Sequence, residues 1–379
     1  MELADRVFRT ITAPENIDGR VRPIFPEGDQ LAYWRRVLRM AALCHDLGHL
    51  PFSHAAEKEL LPNGMTHERI TVDIIQSTEM CGIWQALVPP LKAHHIAKFA
   101  VGPKEYPDDC ESPEFSDWER ILSDVIVGDA FGVDRMDYLL RDSLHAGVVY
   151  GRFDHYRLID TLRVLPESED AVTPVLGIES GGLESAEALL LARYFMYSQV
   201  YFHPVRRAYD RHLQHFLTDW LGKNGLPTDI DRFLRLTDNE VLTEIRNASA
   251  DKQHSGHANA RRITERGHFK VLYERNAADF ETNQQAAQAV FQAAGSEFGD
   301  EKIEYDEYRQ RQSGTEFPVQ LRDRRIASSL AESEVLRNVP LVAIEYVFVA
   351  PEIRDQAEKW LEQNRGEIIA LKGMEGDES

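Results

Sequence analysis

Positive charge is scarce in this chain. Its 379 residues carry 43 Lys and Arg against 63 Asp and Glu, a formal net charge of −20. A surface of that sign repels a phosphate backbone, which argues against nucleic acid as a partner. Phosphate chemistry here must rest on a local basic pocket or on a metal ion. Long apolar runs are missing as well. No stretch of about 18 apolar residues occurs, so the sequence predicts no membrane-spanning helix. The opening MELADRVFRT lacks the apolar core of a signal peptide. Cysteines number three, Cys44, Cys81 and Cys110, without a paired spacing, and read as reduced thiols of a cytoplasmic protein. No phosphate loop of the form GxxxxGKS or GxxxxGKT, no GxGxxG turn and no GxSxG elbow is found.

What the chain does have is helix periodicity. Hydrophobic residues make up 43% of it, enough for a sizeable core. In LAYWRRVLRMAALC, Leu31, Trp34, Val37, Leu38, Ala41 and Ala42 recur at three-and-four spacing, one apolar stripe. HERITVDIIQS and SDWERILSDVIVGD repeat the pattern. VDRMDYLLRDSL does so with Met136, Leu139, Leu140 and Leu144 as its apolar stripe. LESAEALLLARYFMYSQVYF, VRRAYDRHLQHFLTDWL and LTDNEVLTEIRNAS, the last capped by Thr237 or Asp238, predict further helices. RVLPESEDAVTPVLGI predicts a short β-hairpin near 162–178. TEFPVQLRDRR and VPLVAIEYVFVAP read as strands, and IRDQAEKWLEQNRGEIIALKG as a helix packed on them. The expectation is a mainly α fold: a helical core over 1–225, a helical extension over 226–300, and a small α+β appendage over 301–379 with an acidic tail.

The chemistry-bearing residues cluster. CHDLGHLPFSHAAE places His45, Asp46, His49, His54 and Glu57 within fourteen positions. Imidazole nitrogen beside carboxylate oxygen is a mixed donor set suited to Mn, Fe, Zn or Mg-type ions. On the helix VDRMDYLLRDSLHAG, Asp134, Tyr138, Asp142 or Arg141, and His145 share one face opposite the apolar stripe. That face either meets solvent or lines a pocket. HPVRRAYDRH gathers Arg206, Arg207 and Arg211 beside Tyr209, a set able either to bind phosphate or to pair along a surface helix. RRITERGHFK at 261–270 and RDRR at 322–325 carry the same two readings.

These motifs, in order and spacing, resemble the HD-domain phosphohydrolases, and within them the deoxynucleoside triphosphate triphosphohydrolase branch. The resemblance rests on HDLGHLPFSHAAE, THE at 66–68, GVDRMDYLLRDSLHAGV, VRRAYD and LTDNEVLTEI, and covers roughly residues 1–275. It implies an HD helical bundle around one divalent ion (Mn, Mg, Fe, Zn or Ni) held by His45, Asp46 and Asp134. His54 and Glu57 match the acid/base pair, and His49, His67, Arg135 and Tyr138 the triphosphate-holding positions. Asp142 and Tyr209 match the residues that read the sugar. The implied reaction is hydrolysis of a deoxynucleoside triphosphate to deoxynucleoside and triphosphate. Homodimers or homotetramers, with a nucleotide activator at a subunit interface, are implied as well. The family's metal set begins with a His in an Arg-Phe-x-His-Ser-Leu-Gly stretch ahead of LADRVF, whereas this sequence opens at MELADRVF. Two alternatives stay open: an HD phosphohydrolase acting on another phosphorylated nucleotide, and a catalytically silent nucleotide sensor or scaffold.

Overall fold

The computed structural model describes residues 1–53, 57–61, 65–222, 225–227, 229–309 and 316–370. Helices dominate. Glu2–Ile11, Asp29–Cys44, His67–Ile75, Ala93–Val101, Asp117–Val127 and Val133–His145 form the N-terminal bundle. Their apolar stripes meet in one core in which Val37, Leu38, Ile96, Phe99, Leu122 and Met136 are fully buried. Caps fix where these helices start. Ser116 and Glu119 form a reciprocal capping box on Asp117–Val127, and Thr66 caps His67–Ile75. The core also encloses Lys98, whose ammonium reaches Glu119 at 2.8 Å. Among the described residues no helix is long and apolar enough to cross a membrane.

The hairpin forms as expected from strands β1 (Leu162–Pro166) and β2 (Pro174–Glu179), antiparallel. It does not stand alone. β2 pairs in parallel with β5 (Pro318–Gln320), which turns back on β6 (Ile326–Ser328), giving a sheet of order β1-β2-β5-β6. TEFPVQLRDRR is thus strand-forming but joins the N-terminal body. The second sheet, of order β3-β7-β4, consists of β3 (Lys270–Glu274), β4 (Ile303–Arg309) and β7 (Ala343–Val349). Helices Ala286–Phe298 and Arg354–Ile369 pack on it.

Three expectations need correction. The 226–300 extension is not helical throughout, because KVLYE is a short run rich in strand-forming Val, Leu and Tyr that pairs with the apolar β7. Leu144 leaves the apolar stripe and is 66% exposed, since its helix ends one residue later at His145 and projects past the core. LESAEALLLARYFMYSQVYF is not one α-helix either. It is helical over Leu183–Met196 and then widens into a π-helical turn, Tyr197–Tyr201, before Pro204–Leu221 begins. Such insertions re-aim side chains and cluster at functional sites.

Candidate metal centre and substrate pocket

Helix Asp29–Cys44 stops in the turn His45–Gly48, and the glycine there is a packing requirement. A Cβ on Gly48 would lie 2.0 Å from the His67 carbonyl oxygen and 2.5 Å from the Thr71 nitrogen. Its N–H donates to Thr71 Oγ1 at 2.9 Å, and the Thr71 hydroxyl donates to the His45 carbonyl at 3.3 Å. This close approach carries His67, at the start of its helix, onto His49: the two imidazoles stack with centroids 4.4 Å apart. Asp134 comes from across the bundle, in the first turn of Val133–His145.

The three residues named as metal ligands converge. His45 Nε2 donates to Asp134 Oδ1 at 3.1 Å and lies 3.3 Å from Asp46 Oδ2. One donor atom from each falls within 4.8 Å of the others. Two ligands each about 2.1 Å from an ion, at tetrahedral or octahedral angles, are about 3.0–3.4 Å apart, so the set fits a divalent cation. Its electrostatics agree. Burial works against a charged His45, yet Asp134 and Asp46 outweigh it and raise the imidazole's pKa. Burial opposes an ionised Asp46, but His49, His45 and His67 hold it below the usual carboxylate range. Two carboxylates that favour a proton on His45 are equally placed to favour a cation in its stead.

Beside the triad lies a second group. Glu57 Oε1 accepts from the His67 backbone N–H at 3.1 Å and from its Nδ1 at 2.7 Å, while Glu68 Oε1 stands 3.1 Å from Nε2. Burial lowers and these carboxylates raise the His67 pKa, the carboxylates prevailing. His49 Nε2 is 3.3 Å from Asp46 Oδ1, so His49 and His67 border the metal position. The turn ahead bears strain: Phe52 and Ser53 both adopt left-handed backbone, at φ 58° and 55°. Asp238 steadies it by accepting the Phe52 N–H at 2.9 Å, which explains the LTDNE motif. His54 lies outside the described residues.

The pocket continues along Val133–His145. Arg135 has buried Nε and Nη1 atoms without a hydrogen-bond partner, and among the described residues no carboxylate pairs with it or with Arg193. Burial, and then the charge of Arg193, lower the Arg135 pKa, but a guanidinium stays protonated there. Tyr138 is buried beside both arginines and Tyr197 and remains a neutral phenol. Farther along, Asp142 Oδ2 accepts the Tyr201 hydroxyl at 2.8 Å, and the Tyr138 and Tyr201 rings meet at 6.1 Å. Tyr209, named with Asp142 from the sequence, lies against His268 with ring centroids 4.6 Å apart, while the tyrosine hydrogen-bonded to Asp142 is Tyr201.

Comparison with known proteins agrees with this geometry. Residues 30–104 match the HD domain and residues 153–302 the HD associated region. The chain thus carries an HD domain followed by an HD associated region. It is 34% identical over 175 residues to the uncharacterized protein YwfO of Bacillus subtilis, covering 46% of this chain and 35% of that one. It is 27% identical over 266 residues to the human deoxynucleoside triphosphate triphosphohydrolase SAMHD1, covering 62% and 42%. The chain thus spans well under half the length of these relatives. A hypothetical protein from Aquifex aeolicus of known structure matches with a TM-score of 0.72 and 29% identity, over 95% of this chain and 84% of that one. A phosphohydrolase from Bacteroides thetaiotaomicron shares the fold, with a TM-score of 0.64 at 21% identity over 92% and 84%.

Within this HD-domain protein most arginines of the other clusters are already engaged. Arg206 faces Asp210, Arg207 pairs with Asp306, and Arg211 pairs with Glu304. Arg261, Arg262 and Arg325 pair with Glu265, Glu352 and Asp323. A cavity of about 670 Å³ between β2, β5, β6 and the Gly128–Phe131 loop is lined by four carboxylates and no cation, so it repels phosphate. Half-buried Asp124 in its wall is pushed up to about 6 by desolvation and by Asp129. Sequence reasoning missed Arg193. Its one available signal was an arginine on an otherwise apolar helix, LLLARYFM.

Proposed function

We propose that this HD-domain phosphohydrolase hydrolyses deoxynucleoside triphosphates at the α-phosphorus, releasing deoxynucleoside and triphosphate. The observation that carries the reading is charge. In an acidic chain where most arginines of the other clusters pair with carboxylates, the buried Arg135 and Arg193 have none among the described residues. A cluster of that kind is stable when an anion completes it.

A divalent ion held by His45, Asp46 and Asp134 supplies Lewis acidity and lowers the pKa of water. The protein's own residues do the rest. Arg135, Arg193, His49 and His67 neutralise the triphosphate so that water can approach its α-phosphorus, while negative charge grows on the departing O5′. Water oxygen bonds to the α-phosphorus, the bond from phosphorus to O5′ breaks, and O5′ takes a proton. The attacking water gives up that proton, and His67, held by Glu57, is placed to relay it, a role the resemblance gives to His54 as well. Asp142 lies eight residues beyond Asp134 on one helix, about 12 Å between backbone positions, which separates a phosphate end from a sugar end. Tyr201, fixed by Asp142, offers a ring face that leaves no partner for a ribose 2′-hydroxyl, so deoxyribose is preferred.

Product analysis tests this. The chain, loaded with Mn²⁺, Mg²⁺, Fe²⁺, Ni²⁺ or Zn²⁺, is given each deoxynucleoside and ribonucleoside triphosphate. The expected products are deoxynucleoside plus tripolyphosphate; release of pyrophosphate or orthophosphate would refute the reading.

A further inference from the structure

We propose that the cavity between β2, β5, β6 and the Gly128–Phe131 loop binds an aliphatic polyamine, with one ammonium group paired to the Asp124 carboxylate. No residue lining it belongs to the metal triad or to the Arg135 and Arg193 pair, so the proposal stands apart from the reading of that site.

At about 670 Å³ the cavity has the size of a small-molecule site. The fold fixes its walls. Helix Asp117–Val127 runs into a tight turn, in which the Gly128 N–H donates to the Asp124 carbonyl at 3.1 Å and the Gly132 N–H to the Gly128 carbonyl at 3.0 Å. A Cβ on Gly128 would lie 2.3 Å from the Asp124 carbonyl oxygen, so a larger residue would push the turn apart. From the sheet, where β5 pairs in parallel with β2, Phe317 meets Phe131 with ring centroids 4.7 Å apart. These two rings, Leu176 and Ile326 are buried and give the cavity an apolar lining.

Four carboxylates stand around that lining: Asp124, Asp129, Glu167 and Glu316. Asp129 pairs with Lys104 at 3.0 Å, and Glu316 accepts the Ser328 hydroxyl at 3.1 Å. Asp124 is half-buried, and its carboxylate has no hydrogen bond or ion pair among the described residues. Withdrawing a carboxylate from water without a partner is unfavourable, and a bound cation relieves it. The arrangement also selects the kind of cation. A divalent ion gathers its oxygens around one point, whereas among the described residues no three of these carboxylates bring oxygens within 4.8 Å of one another. Separated carboxylates with apolar surface between them match ammonium groups spaced by methylene chains.

A pH dependence follows. Burial and the charge of Asp129 push the Asp124 carboxyl up to about 6, against the pull of Lys104 and Arg120, and Glu167 and Glu316 complete the charged groups around the cavity. An alkyl ammonium keeps its proton to about pH 10. Binding should therefore strengthen as pH rises through 6 and Asp124 ionises.

The test is calorimetric titration of the full chain with spermidine, and separately with magnesium chloride, at pH 5 and 7.5. It is repeated on Asp124→Asn and on Asp323→Asn, an exposed carboxylate outside the cavity. The expected result is one spermidine per chain, bound more tightly at pH 7.5, weakened about tenfold or more by Asp124→Asn and unchanged by Asp323→Asn. Should Asp124→Asn melt below the wild type, Glu167→Gln at the exposed end of the cavity replaces it, with a loss of about two- to fivefold expected. Several weak sites per chain, equal losses in the cavity variant and Asp323→Asn, or no loss in a folded cavity variant would mark general attraction to an acidic surface and overturn the proposal. Magnesium binding that Asp124→Asn abolishes would make the cavity a metal site and overturn it as well.

Discussion

Single residues decide whether the metal centre forms. Asp134→Asn keeps shape and removes charge, so divalent-metal content should fall to near zero and activity by about 100-fold or more, with the melting temperature retained. Metal analysis of the purified variant checks this, and full occupancy would contradict it. Tyr201→Phe should lower kcat/KM for a deoxynucleotide about five- to tenfold by freeing Asp142, whereas Tyr209→Phe should leave it unchanged. The contrast marks what a sequence can tell at this scale. His45, Asp46 and Asp134 were legible because their types and motif spacing define the chemistry, and the structure brings them within bonding reach. Tyr201 and Arg193 were not, because neither sits in a motif whose residue types and spacing define a chemistry: Arg193 lies on an apolar helix and Tyr201 in the π-turn after it.

At the scale of elements, helices were legible wherever an apolar stripe met a cap, as in Asp117–Val127. Sheet membership was not, because pairing joins segments far apart in sequence, such as Ile178 with Val319. One of the junctions so formed is pH-sensitive. His212, on Pro204–Leu221, donates from Nδ1 to Asn259 Oδ1 and accepts the Phe269 N–H at Nε2, both at 3.1 Å, which requires a neutral ring. Burial first, then the charges of Arg262 and His215, push its pKa down to about 4, against the opposing pull of Asn259 and Glu304. The folded value lies below the unfolded one of about 6.5, so the stabilisation is complete above pH 6.5 and is lost as pH falls toward 4. Thermal melts from pH 8 to 4 should show that loss, and His212→Asn should flatten the slope. An unchanged slope in the variant would contradict the assignment.

Across the whole molecule, the C-terminal sheet is docked on helix Pro204–Leu221 through arginine–carboxylate pairs. Its hold on Pro204–Leu221 depends on Asp306, 4% exposed and paired with Arg207. Asp306→Ala strands a mostly buried guanidinium and should cost about 3–5 kcal/mol in denaturant unfolding. It should also raise KM, because Phe202 and the π-turn lose their support. Charge made the functional class legible at this scale. A chain of net charge −20 that handles phosphate must concentrate its cations, and Arg135 and Arg193 keep buried guanidinium atoms without a carboxylate among the described residues. The central claim is water attack at the α-phosphorus, and the most direct test is hydrolysis of a deoxynucleoside triphosphate in ¹⁸O-labelled water by the metal-loaded chain. The account predicts one labelled oxygen in the released tripolyphosphate and none in the deoxynucleoside. Label in the deoxynucleoside, or label in orthophosphate or pyrophosphate, would contradict it.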